Sequence, residues 1–307
     1  MFTRKKYIIS LIVIATVVVA ATIINAILPE ESRVEWLWIV LVASAGYIFI
    51  KYKVSGPLQM FATRFTMLVD YDLDIDKAVQ LAKEYMDNAP TANVKELYHV
   101  YYGMGLYYSG SYEEAIKTFN TIDLRRLNTL YHVLIFAFSS YCAFEINDME
   151  TFQQGLDRVK SLKSRVSPKY QNFVASYEEI LEALSQIDVS LDNFKDVIDR
   201  HFLRNDGYIT TQLIYQYRLA LYYEKIGDDL ECDKCLAFVI ANGKSHHTAL
   251  QAKKKFKGLV SVDDYVIKPE AEAEEILPQE DVSQIESIEI SQDEPQEETE
   301  EEAKNDD

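Results

Sequence analysis

Cysteine is scarce in this chain: Cys142, Cys232 and Cys235 are the only three in 307 residues, too few and too scattered for a disulfide framework. That scarcity fits a reducing compartment. Alternating apolar and polar runs of strand type are absent, so a β fold is not expected. Also missing are HExxH, GxSxG, a Walker loop and a GxGxxG phosphate loop, and His99, His132, His201, His246 and His247 show no ligand spacing. Nothing in the sequence therefore points to an enzyme, a metal or a cofactor, although an active site assembled from distant residues would leave no motif. Aromatic residues stop after Tyr265, and the remaining tail is Glu, Asp, Gln, Ser and Pro punctuated by Ile276, Leu277, Val282, Ile285, Ile288 and Ile290. Such a composition buries too little to order itself, so residues 263–307 are expected to be a disordered acidic tail, either solubilising or carrying short binding motifs.

Charge is placed as unevenly as aromatics. The formal net charge is −18, yet residues 263–307 hold 19 acids against two lysines, while the first 262 residues hold 30 acids and 29 bases. The acidity belongs to the tail, and the overall pI says little about the remaining surface.

Two apolar runs open the chain. Tyr7 to Leu28 is 22 residues without a charge, about 33 Å as a helix, enough for a bilayer core. Pro29 to Arg33 form a short polar turn, and Val34 to Tyr52 give a second run of about 28 Å. Arg4, Lys5 and Lys6 precede the first run and Lys51 and Lys53 follow the second. Both basic flanks are thus expected on the cytoplasmic side, with Trp36 and Trp38 at the outer interface. The expectation is a transmembrane hairpin over residues 1–53 (helices 7–28 and 34–52) in the cell membrane, with N-terminus, central domain and tail cytoplasmic. The competing readings are a cleaved signal peptide at the first run, and a second run that is only a buried helix, which would put the rest outside the cell.

Gly56 and Pro57 are expected to break the chain, after which helical texture runs to about Leu259. Its centre is LYYSGSYEEAIKTF, Leu106 to Phe119: an apolar-faced run, a turn at Gly110, then a second helical period at Tyr112, Ala115, Ile116 and Phe119. Ala78 and Ala82 repeat the Ala115 and Phe119 pair 37 residues earlier, and Phe152 and Leu156 repeat it 37 residues later with a bulky residue in the small position. Phe194 and Ile198, then Cys232 and Leu236, continue the series, the last after Ala220, Tyr223 and Gly227. This pattern resembles the tetratricopeptide repeat (TPR), a helical hairpin of roughly 34 residues that stacks into a solenoid. The expected fold is all-α, a TPR-like α-solenoid over residues 54–262; a non-repeating bundle would use the same residues as plain core.

The resemblance implies a concave face that holds a protein or peptide partner. Carried across by the phase of the turn glycines, its lining is Met67 and Tyr71, then Val100, Met104, Tyr107 and Tyr108, then Ala137, Tyr141 and Phe144, and finally Tyr217, Leu221 and Glu224. TPR grooves that grip a terminal carboxylate use Lys, Arg and Asn at these positions, and none stands here. An apolar helix or extended segment is the better expected guest. The CxxC of Cys232 and Cys235 reads as small core residues rather than a zinc or redox site. Lys253, Lys254, Lys255 and Lys257 read as a solvated helix end or as candidates for contact with anionic lipid; nucleic acid is not expected. The function that follows is a membrane-anchored scaffold or adaptor, with a peptide- or tail-regulated sensor as the alternative.

Overall fold

A computed structural model describes residues 4–29, 36–203 and 208–267. The described residues are mostly helical and hold twelve α-helices, without a strand. Residues 268–307 lie outside the described residues, and the expected disordered tail falls largely there. Its first residues do not: Val262–Tyr265 form a 3-10 turn, and Asn242 of the helix before them donates to the Tyr265 carbonyl and accepts from the Ile267 N–H at 2.9 Å each.

Helices α1 (Arg4–Ile27) and α2 (Trp36–Thr66) are both long and apolar enough to cross a membrane. Their side chains lie open rather than under other protein: Ile12, Val19, Ile23, Leu37, Trp38 and Val40 are all exposed. The two helices pack closely at Gly46, where a Cβ would come within 2.9 Å of Ile14 Cδ1.

Gly56 and Pro57 do not break the chain. Helix α2 passes straight through them and continues as a π-helical turn, Met67–Tyr71. Proline removes one backbone donor and crowds the residue before it, and here that residue is glycine, which has no Cβ to be crowded. The helix thus changes environment without a break. Its early turns are uncovered, while Phe61, Phe65 and Val69 further on are almost fully enclosed.

From there the chain folds into helix pairs. The end of α2 packs on α3 (Ile75–Asp87), α4 (Ala92–Tyr108) on α5 (Tyr112–Asn120), and α6 (Thr129–Glu145) on α7 (Met149–Leu162). Two further pairs are α8 (Gln171–Ser185) with α9 (Leu191–Phe202), and α10 (Ile209–Ile226) with α11 (Asp229–Asn242); a short α12 (His247–Lys255) follows. Each of the five second helices buries its pair of the sequence series: Ala78 and Ala82, Ala115 and Phe119, Phe152 and Leu156, Phe194 and Ile198, Cys232 and Leu236.

The turns explain the spacing. Gly110, Asn147 and Gly227 adopt left-handed backbone at φ 82°, 58° and 78°. In each case the next residue's N–H returns to a carbonyl five residues back: Ser111 to Leu106, Asp148 to Ala143, Asp228 to Tyr223. Asp148 and Asp228 then cap the following helix by accepting the Thr151 and Glu231 N–H groups. In the first pair Leu73 takes the left-handed position at φ 53°, the Asp74 N–H returns to the Leu68 carbonyl six residues back, and Asp74 caps α3.

The last pair does not end a row; it returns to the first. Thr210 donates to the Val69 carbonyl at 2.8 Å, Tyr208 and Tyr71 meet edge to face, and Lys244 reaches the Asp72 carbonyl at 2.6 Å. Helix α12 lies on α4 and α5 through His246 and His247.

Candidate functional site

That closure decides what becomes of the expected groove. The first helices of successive pairs, α4, α6, α8 and α10, turn one side toward a common interior, and there a cavity of about 260 Å³ remains. Tyr107, Tyr108 and Tyr141 stand in its wall, as carried over from the TPR groove. The rest of the wall is Phe138, Phe173, Ser176, Tyr177 and Ile180, with His201, Phe202, Ile214 and Arg218.

Other proposed lining residues went elsewhere. Val100, Ala137, Tyr217 and Leu221 are buried in helix packing and present no surface to a partner. Met104 and Phe144 are half-buried; Phe144 stacks against Phe152 at 6.0 Å and faces Arg218. Glu224 is exposed and paired with Lys255 at 2.7 Å. Met67 and Tyr71 are exposed at the π turn, Tyr71 against Tyr208.

Arg218 escaped the sequence reading although it follows Tyr217 directly. Its side chain is only 4% exposed, and its Nη1 lies 3.3 Å from Glu145 Oε1, a carboxylate equally enclosed. The geometry is that of an ion pair without a directed hydrogen bond, for both atoms lack a hydrogen-bond partner. The rings of Phe144 and Tyr217 face the guanidinium at 5.2 and 5.9 Å and hold its plane. Burial pushes the Glu145 carboxyl up against the lowering pull of Arg218 and Tyr217. A buried pair of this kind contributes little net stability, yet removing one partner alone is costly.

The cavity's hydroxyls are protonated donors, because burial raises the phenols of Tyr107, Tyr108, Tyr141 and Tyr177 well above their ordinary value. His201, by contrast, is engaged: its Nε2 is 2.9 Å from Glu179. Asp70, on the π turn near Tyr108 and Tyr177 but outside the wall, is pushed up to about 6 by burial.

Beside the cavity, the closing helix brings two more titratable groups inside. His246 caps α12, accepting the Thr248 N–H at Nδ1, and its pKa is driven down to about 3 by burial. His247 Nδ1 is 3.0 Å from the Tyr112 hydroxyl, which also accepts from Gln251 Nε2. Both Nε2 atoms are buried without a partner.

The remaining candidates can be placed directly. Cys232 and Cys235 are buried free thiols, the latter pushed up to about 12, and no cluster with metal-ligand geometry occurs among the described residues. Of the lysine group, Lys255 and Lys257 pair with Glu224 and Asp229, while Lys253 and Lys254 are exposed. No protein-family model, curated protein or solved structure matches the chain.

Proposed function

We propose that the protein is a membrane-anchored adaptor: a two-helix hairpin in the cell membrane carries a TPR-like α-solenoid on the cytoplasmic side, and the solenoid recruits a protein partner. The observation that carries this reading is α2, which runs unbroken from uncovered apolar turns into the enclosed first helix pair. A continuous helix fixes the domain at the bilayer surface, and the uncovered turns of α1 and α2 suit lipid better than water. The left-handed turns at Leu73, Gly110, Asn147 and Gly227, with the buried small and large pairs that follow them, support the repeat reading.

Confinement at the surface raises the local concentration of whatever is bound, so a weak site suffices. Partner contact falls on the accessible end of the inner layer, Met67 and Tyr71, where an apolar segment of another membrane-associated protein fits. Catalysis forms no part of this reading.

Two measurements test it. The chain should stay with membranes through alkaline carbonate extraction, and a cysteine engineered at position 300 should resist an impermeant reagent in intact cells; labelling there overturns the orientation. Photo-crosslinking from position 67 or 71 in full-length protein should give a discrete adduct that Lys253 or Lys254 positions do not. Absence of such an adduct removes the partner surface.

A further inference from the structure

The cavity described above is more than a gap left by closure, because its wall holds a buried guanidinium and four tyrosines. We propose that it is a binding site for a carboxylate carried on an apolar or aromatic body. The proposal takes the inner face as a binding face, as the adaptor reading does, but needs no protein partner.

Three observations carry it. Arg218 reaches the wall almost fully buried, with Nη1 lacking any hydrogen bond and its charge balanced only by Glu145 at 3.3 Å. A guanidinium offers five donors in a rigid fork, and a carboxylate on its open edge would take two of them in parallel. Second, Tyr107, Tyr108, Tyr141 and Tyr177 line the same space and their hydroxyls make no hydrogen bond among the described residues, whereas the carboxylates around it are placed otherwise: Glu145 is ion-paired with Arg218, Glu179 meets His201, and Asp70 lies outside the wall. A wall of donors selects an acceptor. Third, Phe138, Phe173, Phe202, Ile180 and Ile214 supply an apolar floor for the rest of the ligand. At about 260 Å³ the space exceeds the ~150 Å³ that accommodates benzene, leaving room for a ring and a short acidic arm.

The same chemistry has two sources: a small free acid, or an acidic residue beside an apolar one, as in Glu286, Ile288, Glu289 and Ile290 of the chain's own tail. Calorimetric titration of the full chain in detergent distinguishes them, with 3-phenylpropionate as probe and its uncharged amide as control. The acid should bind at least tenfold more tightly than the amide. Replacing both charges, Arg218→Gln with Glu145→Gln, should weaken acid binding at least tenfold while leaving no lone buried charge. Ser176→Leu, which narrows the cavity and touches neither charge, should block the acid at unchanged melting temperature. A synthetic peptide of residues 281–292 that displaces the acid, with the same Arg218 dependence, identifies the tail as the source; a peptide that does not identifies a free acid. The proposal is overturned if neither acid nor peptide binds, or if Ser176→Leu binds the acid as wild type does. Crosslinking at positions 67 and 71 is unaffected by either result, so the adaptor reading stands or falls separately.

Discussion

In the α4–α5 pair the residue that lets the helices close up lies on the first helix: a Cβ on Gly103 would stand 2.4 Å from the Phe119 ring. In the α6–α7 pair it lies on the second: a Cβ on Gly155 would stand 2.1 Å from Ser140 Oγ and 2.9 Å from the Phe136 carbonyl oxygen. The difference follows from Phe152, which takes the position that Ala115 holds one pair earlier. With a large side chain there, α7 approaches α6 at Gly155 instead, three residues on and on the same helix face, while Ser140 donates to the Phe152 carbonyl. A bulky substitution in a repeat position is thus compensated within one helical turn. The two pairs differ again in what covers them: α12 clamps the α4–α5 pair through His247, Tyr107 and Tyr112.

Acid should separate the pairs most strongly. His246 and His247 are held neutral in the fold, with pKa values depressed by burial, whereas the unfolded chain titrates near 6.5. Below pH 6.5 the unfolded state therefore binds more protons, and stability that is complete above that pH is lost as pH falls, at about 1.4 kcal/mol per pH unit for each histidine. Asp70 works the other way: its folded value near 6 lies above the ordinary 3.8, so it offsets part of the loss between those limits. Hydrogen exchange at pH 5 should open α12 and the α4–α5 pair before α6–α7, and His247→Phe should reduce the acid slope. Uniform opening would mean that the clamp is not the weak point.

Next in size are the two glycines. Gly155→Ala gains up to about 1 kcal/mol of helix propensity but forces α7 away from a backbone oxygen, for a net loss of about 2 kcal/mol by urea denaturation. Adding Ser140→Ala should recover part of it, since the Phe136 carbonyl remains. Gly103→Ala meets the Phe119 ring first, so a net loss of about 1 kcal/mol should be recovered by Phe119→Leu. Phe119→Leu should do nothing for Gly155→Ala, the two sites being independent. Cross-rescue would break the distinction between the pairs.

The helix pairs were legible because their signals are local: the buried series from Ala78 to Leu236 and the turns at Gly110 and Gly227 are periodic apolar positions and punctuation. Gly155 was legible too, had the degenerate Phe152 copy prompted a search for a small residue one turn away. The closure was not. It rests on contacts between residues more than 130 positions apart, such as Thr210 with Val69 and His247 with Tyr112, for which no short-range pattern exists. Val100 and Tyr217 were placed on an open face for that reason, and Arg218 passed unnoticed because a buried charge looks like a surface one until its neighbours are known. Gly56 and Pro57 misled for a different cause: proline ends a helix only where the lost hydrogen bond and the crowded preceding residue have no relief, and glycine gives that relief.

The smallest effects concern the turns, where the two pairs use different residues for one geometry. Asn147 pays a modest cost at φ 58° that Gly110 at φ 82° does not. Asn147→Gly should therefore be neutral or stabilising by a few tenths of a kcal/mol, while Gly110→Ala and Asn147→Ala should each cost about 1 kcal/mol. At Gly110 the new methyl would meet His247 Cβ and Leu250 Cδ1 at an ordinary 3.7 Å, so the whole cost there is backbone. Thermal denaturation of the three variants separates the readings: equal losses for the two alanine variants place the cost in the left-handed turn common to both pairs. A clearly larger loss at Gly110 would assign the excess to displacement of α12, the element that α6–α7 does without.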